Sequence, residues 1–191
     1  MPNKRACSVF WIPPRHPSVA DRFADFTAPV PLADHHDLSG FDSEEPVLDD
    51  WLRQRAMRNM KSAATKTYVI CPAESAIVIG YYALCMGQML ATDVTGSMRR
   101  NMPGQIPAVL LGRLAIDHDW QGRGLGGYLL RDVVRRARRA AEEIPARLII
   151  VHAISPAAEA FYRHYGFTRL PIEAPTLALD LAKLAKLGEN R

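Results

Sequence analysis

The sequence predicts one α/β domain built on a mixed sheet. Three observations carry this. Two strand-like segments, 66–71 and 76–84, are separated only by Pro72-Ala73-Glu74-Ser75, which reads as a hairpin turn. A long amphipathic helix at 124–141 follows an apolar strand at 107–116. The remaining order is strand, short helix, strand, strand, which is not a regular βαβ alternation. The 191 residues amount to about one domain, and a hydrophobic fraction of 48% is enough to fill a core.

The elements are justified in order. Residues 1–26 are proline-rich and lack periodicity. They read as an extension, partly disordered or translated from a start codon placed too far upstream, with the folded domain at 27–191. Their basic start precedes no continuous apolar stretch, so a signal peptide is rejected. No apolar run reaches the roughly 18–20 residues that span a bilayer. A cytoplasmic location is therefore expected. Pro46 and the acidic residues Glu44, Glu45, Asp49 and Asp50 mark a helix start, and Val47, Leu48, Trp51 and Leu52 fall on one face. That helix runs to about residue 60. Its later arginines, Arg53, Arg55 and Arg58, suit the negative end of the helix dipole.

After the hairpin, 91–106 reads as a loop, punctuated by Gly, Pro and Asn. In the long helix, Leu125, Leu129, Val133 and Ala137 recur every four residues, with Leu130 and Val134 beside them. Arg131, Arg135, Arg136, Arg138 and Arg139 cover the opposite side as a solvated face. A strand at 147–154 follows. Ser155-Pro156 is an N-cap with proline at the first helical position, and Gly166 ends that helix. Strands at 167–170 and 176–181 close the sheet.

Composition narrows the chemistry only a little. The net charge of +4 permits a nucleic-acid partner without requiring one. Cys7, Cys71 and Cys85 form no CxxC or Cys/His pattern and read as free thiols, with Cys71 and Cys85 as small core residues. His35-His36 is an adjacent pair rather than an i, i+4 pair, and His118, His152 and His164 add no ligand spacing, so no metal is expected.

The informative stretch is Gly122-Arg123-Gly124-Leu125-Gly126-Gly127, which fits G-x-G-x-x-G. A dinucleotide fingerprint starts directly after its strand. Here five mostly polar residues, 117–121, intervene, and no Gly-Lys-Ser/Thr ending makes a P-loop. What remains is a strand, a polar loop and glycines that open a helix. The free N–H groups there suit a pyrophosphate, and glycine lets it approach the backbone.

Gln121-Gly122-Arg123-Gly124-Leu125-Gly126 resembles the acyl-CoA signature Gln/Arg-x-x-Gly-x-Gly/Ala of the GNAT acetyltransferases. Leu114-Ala115-Ile116 looks like that family's fourth strand, and Phe161-Tyr162-Arg163-His164-Tyr165-Gly166-Phe167 like its late F-Y-x-x-x-G-F segment. The resemblance covers about residues 28–181. It implies a central mixed, mostly antiparallel twisted sheet flanked by helices, with acetyl-CoA as donor. It assigns Leu114, Ala115 and Ile116 to the donor's pantetheine arm, and Gln121, Gly122, Arg123, Gly124, Leu125 and Gly126 to its pyrophosphate. It gives the backbone of Ile116 to the thioester oxygen and makes Tyr162 the general acid, with Tyr165 as runner-up.

A narrower resemblance rests on Leu48-Asp49-Asp50-Trp51-Leu52, on Arg99-Arg100-Asn101-Met102-Pro103, and on Leu111-Gly112-Arg113-Leu114-Ala115. These look like the TacT/AtaT toxins, which acetylate the α-amino group of aminoacyl-tRNA and so block translation. Phe41-Asp42-Ser43 departs from the Cys-Gly variant of that group. The resemblance implies an aminoacyl-tRNA substrate, a ribbon-helix-helix antitoxin and a homodimer. Arg53, Arg99, Arg100 and Arg113 are its candidate tRNA contacts. Two alternatives stand beside it: a GNAT enzyme acting on a small-molecule amine or a protein N-terminus, and a non-catalytic acyl-CoA-binding module.

Overall fold

A computed structural model describes residues 25–188; the expected extension, through residue 24, and Cys7 lie outside the described residues. Seven strands form one sheet in the order β1-β2-β3-β4-β5-β7-β6. They are β1 (Val30–Pro31), β2 (Lys66–Ile70), β3 (Gly80–Leu90), β4 (Gln105–Ile116), β5 (Leu148–His152), β6 (Thr168–Arg169) and β7 (Thr176–Asp180). Only the β4–β5 pair is parallel. The mixed, mostly antiparallel sheet expected above is the one observed. Asp25 and Phe26 already touch the domain, through a bridge to Pro72 and an edge-on contact with Tyr128.

One sheet face carries α1 (Pro46–Trp51), a π-helical turn (Leu52–Ala56) and α2 (Met57–Lys61). Leu48, Trp51 and Leu52 are buried there against Val69, Tyr81 and Ala115. Val47, expected on the same face, is 73% exposed. At about 100° per residue, Trp51, Leu48 and Leu52 span one arc and residue 47 falls just outside it.

The other face carries α3 (Leu125–Glu143) and α4 (Pro156–His164). Leu125, Leu129, Leu130, Val133 and Ala137 are all buried against it, as their spacing predicts. Each fully buried Leu or Val is worth about 2 kcal/mol, so this stripe fixes where the start of α3 lies. Asp132 adds a polar anchor. It is buried, accepts the Tyr82 hydroxyl at 2.5 Å, and pairs with Arg135 and Arg136. Arg136 also lies 3.8 Å over the Tyr68 ring and donates to the carbonyl of Pro29.

Two boundaries differ from expectation. Strand β3 begins at Gly80 rather than 76 and runs to Leu90. Residues 76–79 instead meet the loop near Asp37, through Val78 N–H to the Asp37 carbonyl at 3.0 Å and an Ile77–Asp37 bridge. A helix α5 (Leu181–Gly188) extends past the last strand. The Ser155 cap forms as expected, accepting the Ala158 N–H at 3.1 Å, and Gly166 adopts φ +88° at the end of α4.

Candidate active site

The site begins with an irregularity in β4. In the β3–β4 register Leu111 faces Leu84 and Arg113 faces Ala83, so Gly112 faces no residue. This bulge bends the strand. Pairing with β5 stops at the same place, at Leu111–Val151. The bulge also reverses which residues face α3. Before it Val109 and Leu111 do; after it Leu114 and Ile116 do, while Ala115 faces α1.

Beyond the bulge, β4 has an open edge. The Asp117 N–H donates to the Ile79 carbonyl at 3.0 Å. By antiparallel alternation Ala115 and Asp117 turn their backbone groups toward β3, whereas Leu114 and Ile116 turn theirs away from it. The Ile116 carbonyl is taken by the Gln121 side-chain amide at 3.2 Å. Its N–H faces the cleft that opens between β4 and β5.

The glycine loop closes the lower end of this cleft. Gly122 and Gly124 have φ of +72° and +81°, a region that disfavours any side chain. Gly124 caps α3 and no side chain caps that helix end. The first-turn N–H groups therefore stay free for an anion. Gly127 has a different reason to be glycine. The Tyr165 phenol packs against its α-carbon, and a Cβ there would fall inside the ring and hydroxyl. Phe161 lies 3.4 Å from the corresponding point on Gly126.

Together these elements line a cavity of about 570 Å³. The expected Leu114, Ala115, Ile116, Gln121, Gly122, Gly124, Leu125 and Gly126 all line it. Arg123 does not. Its guanidinium lies 4.6 Å over the Trp120 ring and donates to the Asp119 carbonyl at 2.8 Å, bracing the loop from outside. Ser43, Glu44, Glu45 and Leu48 from the α1 side, and Ser155, Phe161 and Tyr165 from the α4 side, complete the wall. Of these, only Tyr165 was expected at the site from the sequence. Their signal is tertiary, because loops far apart in sequence supply them.

Tyr162 adjoins the lining residue Phe161 and is not itself among the residues that line the cavity. It is 6% exposed, packs on Phe161 and Phe167, and its hydroxyl has no hydrogen-bond partner among the described residues. Burial raises its pKa well above the ordinary phenol range, so it holds its proton through neutral pH.

The loop at 117–121 is a clasp. Asp117 accepts the N–H groups of Asp42 and Asp119, each at 3.1 Å. The His118 N–H donates to the Asp42 carbonyl at 2.7 Å. The His118 ring also meets that carbonyl and ion-pairs with Asp119, and these contacts raise its pKa. Asp117, His118 and Asp119 have ligand-type atoms within 4.8 Å of one another, but each already serves this clasp.

The structure does not bring the four candidate tRNA contacts together. Arg53 donates to the Phe41 carbonyl at 2.6 Å and pairs with Asp50. Arg113 lies 4.4 Å over the Trp51 ring. Arg99 and Arg100 are exposed, without ion pairs among the described residues, just before β4. The cavity lies at the other end of that twelve-residue strand, from Leu114 onward.

A sheet split at a bulge, with a glycine-opened helix facing the split, makes a cleft with an anion site at one end. Residues 67–169 match the acetyltransferase (GNAT) domain. The chain is 43% identical over 154 residues to the tRNA-acetylating toxin of Mycobacterium tuberculosis (strain ATCC 25618 / H37Rv), covering 81% of this chain and 92% of the relative. It is similar to AtaT complexed with acetyl-methionyl-tRNAfMet, with a TM-score of 0.80 and 28% identity over 86% of this chain and 99% of that one. It is also similar to a tyrosine-to-phenylalanine mutant of AtaT bound to acetyl-CoA and the C-terminus of the antitoxin AtaR, with a TM-score of 0.72 and 28% identity over 85% and 97% of the two chains. The chain belongs to the GNAT acetyltransferase family, as a toxin of the TacT/AtaT type. It is an acetyl-CoA-dependent N-acetyltransferase.

Proposed function

We propose that this enzyme moves the acetyl group of acetyl-CoA to the α-amino group of an aminoacyl-tRNA, and so stops translation. The observation that carries this reading is the cleft beyond Gly112, in a chain so closely related to a tRNA-acetylating toxin.

The residues divide the work. Gly122, Gly124 and the free N–H groups of Leu125 and Gly126 receive the pyrophosphate. The open edge at Leu114 and Ile116 holds the pantetheine arm. The Ile116 N–H donates to the thioester oxygen as that atom gains charge; a preorganised donor of this kind is worth about 3 kcal/mol. Tyr162, held protonated by burial, supplies a proton to the departing sulfur. The acceptor asks little of the enzyme. An α-amino group has a pKa of about 7.7–8.0, against about 10.4 for lysine, so much of it is already neutral at cellular pH.

Arg99 and Arg100 serve as phosphate contacts remote from the chemistry. A nucleic-acid stem is long enough to reach both them and the cavity. Among the described residues no helix is long and apolar enough to cross a membrane. The reading includes a cytoplasmic site of action, a ribbon-helix-helix antitoxin and a homodimer. Expression of the chain should arrest growth and Tyr162→Phe should relieve the arrest. Arrest by Tyr162→Phe equal to wild type, at equal protein level, would remove Tyr162 from the mechanism.

A further inference from the structure

The cavity wall has an unexpected charge inventory. The chain has more basic than acidic residues, yet no Lys or Arg lines the cavity. The only side chains on the wall that carry charge are those of Glu44 and Glu45. The donor is a polyanion, so a carboxylate beside it opposes its binding. Such a carboxylate fits a cation entering from the α1 side.

Glu45 has an ordinary explanation. Its carbonyl accepts the N–H groups of Leu48 and Asp49, and its acidic side chain suits the positive end of α1. Glu44 has none. It adopts φ +66°, a left-handed conformation that side chains other than Asn, Asp and Gly rarely take. Its neighbours enforce this. The Glu44 N–H donates to Asp42 Oδ1 at 2.9 Å, and the Ser43 hydroxyl donates to Asp49 at 2.6 Å. The Ser43 carbonyl accepts from Gln121 Nε2 at 3.4 Å, the same nitrogen that serves the Ile116 carbonyl at 3.2 Å. Glu44 is therefore one peptide bond from a group tied to the end of β4, where the thioester is placed. Its side chain makes no ion pair or hydrogen bond among the described residues.

We propose that Glu44 binds the α-ammonium group of the acceptor and takes its proton, which makes it the residue that selects a free α-amine. This rests on the aminoacyl-tRNA reading above. The ammonium gives one proton to the Glu44 carboxylate, which releases it to solvent. The nitrogen lone pair then forms the bond to the acetyl carbon, the carbon–sulfur bond breaks, and the second proton lost from nitrogen balances the one Tyr162 gives to sulfur. The other titratable or charged groups around Glu44 are Asp42, Glu45 and Asp49 on its own segment, Arg53 above it, and Asp117, His118 and Asp119 in the clasp.

The test is acetylation of charged tRNA by the full chain from pH 6 to 9, with wild type, Glu44→Gln, Glu44→Asn and Glu45→Gln. Asparagine tolerates the left-handed backbone, so Glu44→Asn removes the carboxylate without adding strain. Both Glu44 variants should lose about a hundredfold in kcat/KM for aminoacyl-tRNA near pH 6.5. The deficit should shrink to a few-fold by pH 9, where the amine is already neutral. The KM for acetyl-CoA should not rise, and Glu45→Gln should lose less activity than either Glu44 variant at pH 6.5. Glu44 variants within twofold of wild type at every pH would overturn the proposal. So would a pH-independent loss shared with acetyl-CoA binding, or a larger defect in Glu45→Gln. Wild type that acetylates no charged tRNA would instead sink the underlying reading.

Discussion

The side-chain amide of Gln121 donates to the carbonyl of Ile116 at 3.2 Å, tying the loop that opens α3 to the end of β4. The same amide reaches Ser43. Gln121→Leu should therefore loosen both walls of the cavity at once. Loss of such a hydrogen bond costs about 1 kcal/mol, so the KM for acetyl-CoA should rise about fivefold, and that for the acceptor with it. Gln121→Glu should be worse, since it sets a carboxylate against two carbonyl oxygens. Steady-state kinetics in each substrate checks this.

Gly127 and Tyr165 form a second coupled pair. A methyl group on Gly127 has no room beside the phenol. Gly127→Ala should cost about 1–3 kcal/mol of stability by overpacking. Tyr165→Leu, combined with it, should return most of that loss. A denaturant double-mutant cycle reads the coupling, and additive effects would contradict the contact.

Asp132 should make stability depend on acid. Burial opposes its ionisation, but hydrogen bonds from Tyr82, Arg136 and Arg135 outweigh this and hold its pKa below the ordinary value. A lowered folded pKa contributes stability above the ordinary Asp range, near 3.9, and loses it as pH falls through the folded value. Asp132→Asn should cost about 2 kcal/mol at pH 7. The gap to wild type should close below about pH 4, as urea melts across pH can show.

Arg99 and Arg100 should act through phosphate charge alone. The double alanine variant should weaken tRNA binding and reduce its salt slope by about two. Acetyl-CoA binding should not change, because the pair stands at the other end of β4. An unchanged slope would release these residues from the tRNA.

Much of this site was legible in the sequence because it is local. The glycine loop, the apolar stripe of α3 and the Ser155 cap depend on neighbours within one or two turns. The bulge at Gly112 was not legible. Gly112 inside an apolar strand is its one local hint, but the bulge itself depends on the register against Ala83 and Leu84, some thirty residues away in the chain. The end of β3 was missed for a related reason. Met86 and Leu90 are half exposed at the outer end of a long hairpin, so their pattern lacks a buried face. The Glu44 wall is the clearest case. Its place depends on Gln121 reaching, from nearly eighty residues away, the segment on which Asp42 and Asp49 shape the turn.

The central claim is transfer of acetyl to a charged tRNA. The most direct measurement incubates the purified chain with labelled acetyl-CoA and total aminoacyl-tRNA, then counts label in the RNA fraction. The account predicts label on RNA that mild deacylation removes as an N-acetylamino acid. Intact binding and slow hydrolysis of acetyl-CoA, with no label on any charged tRNA, would contradict it.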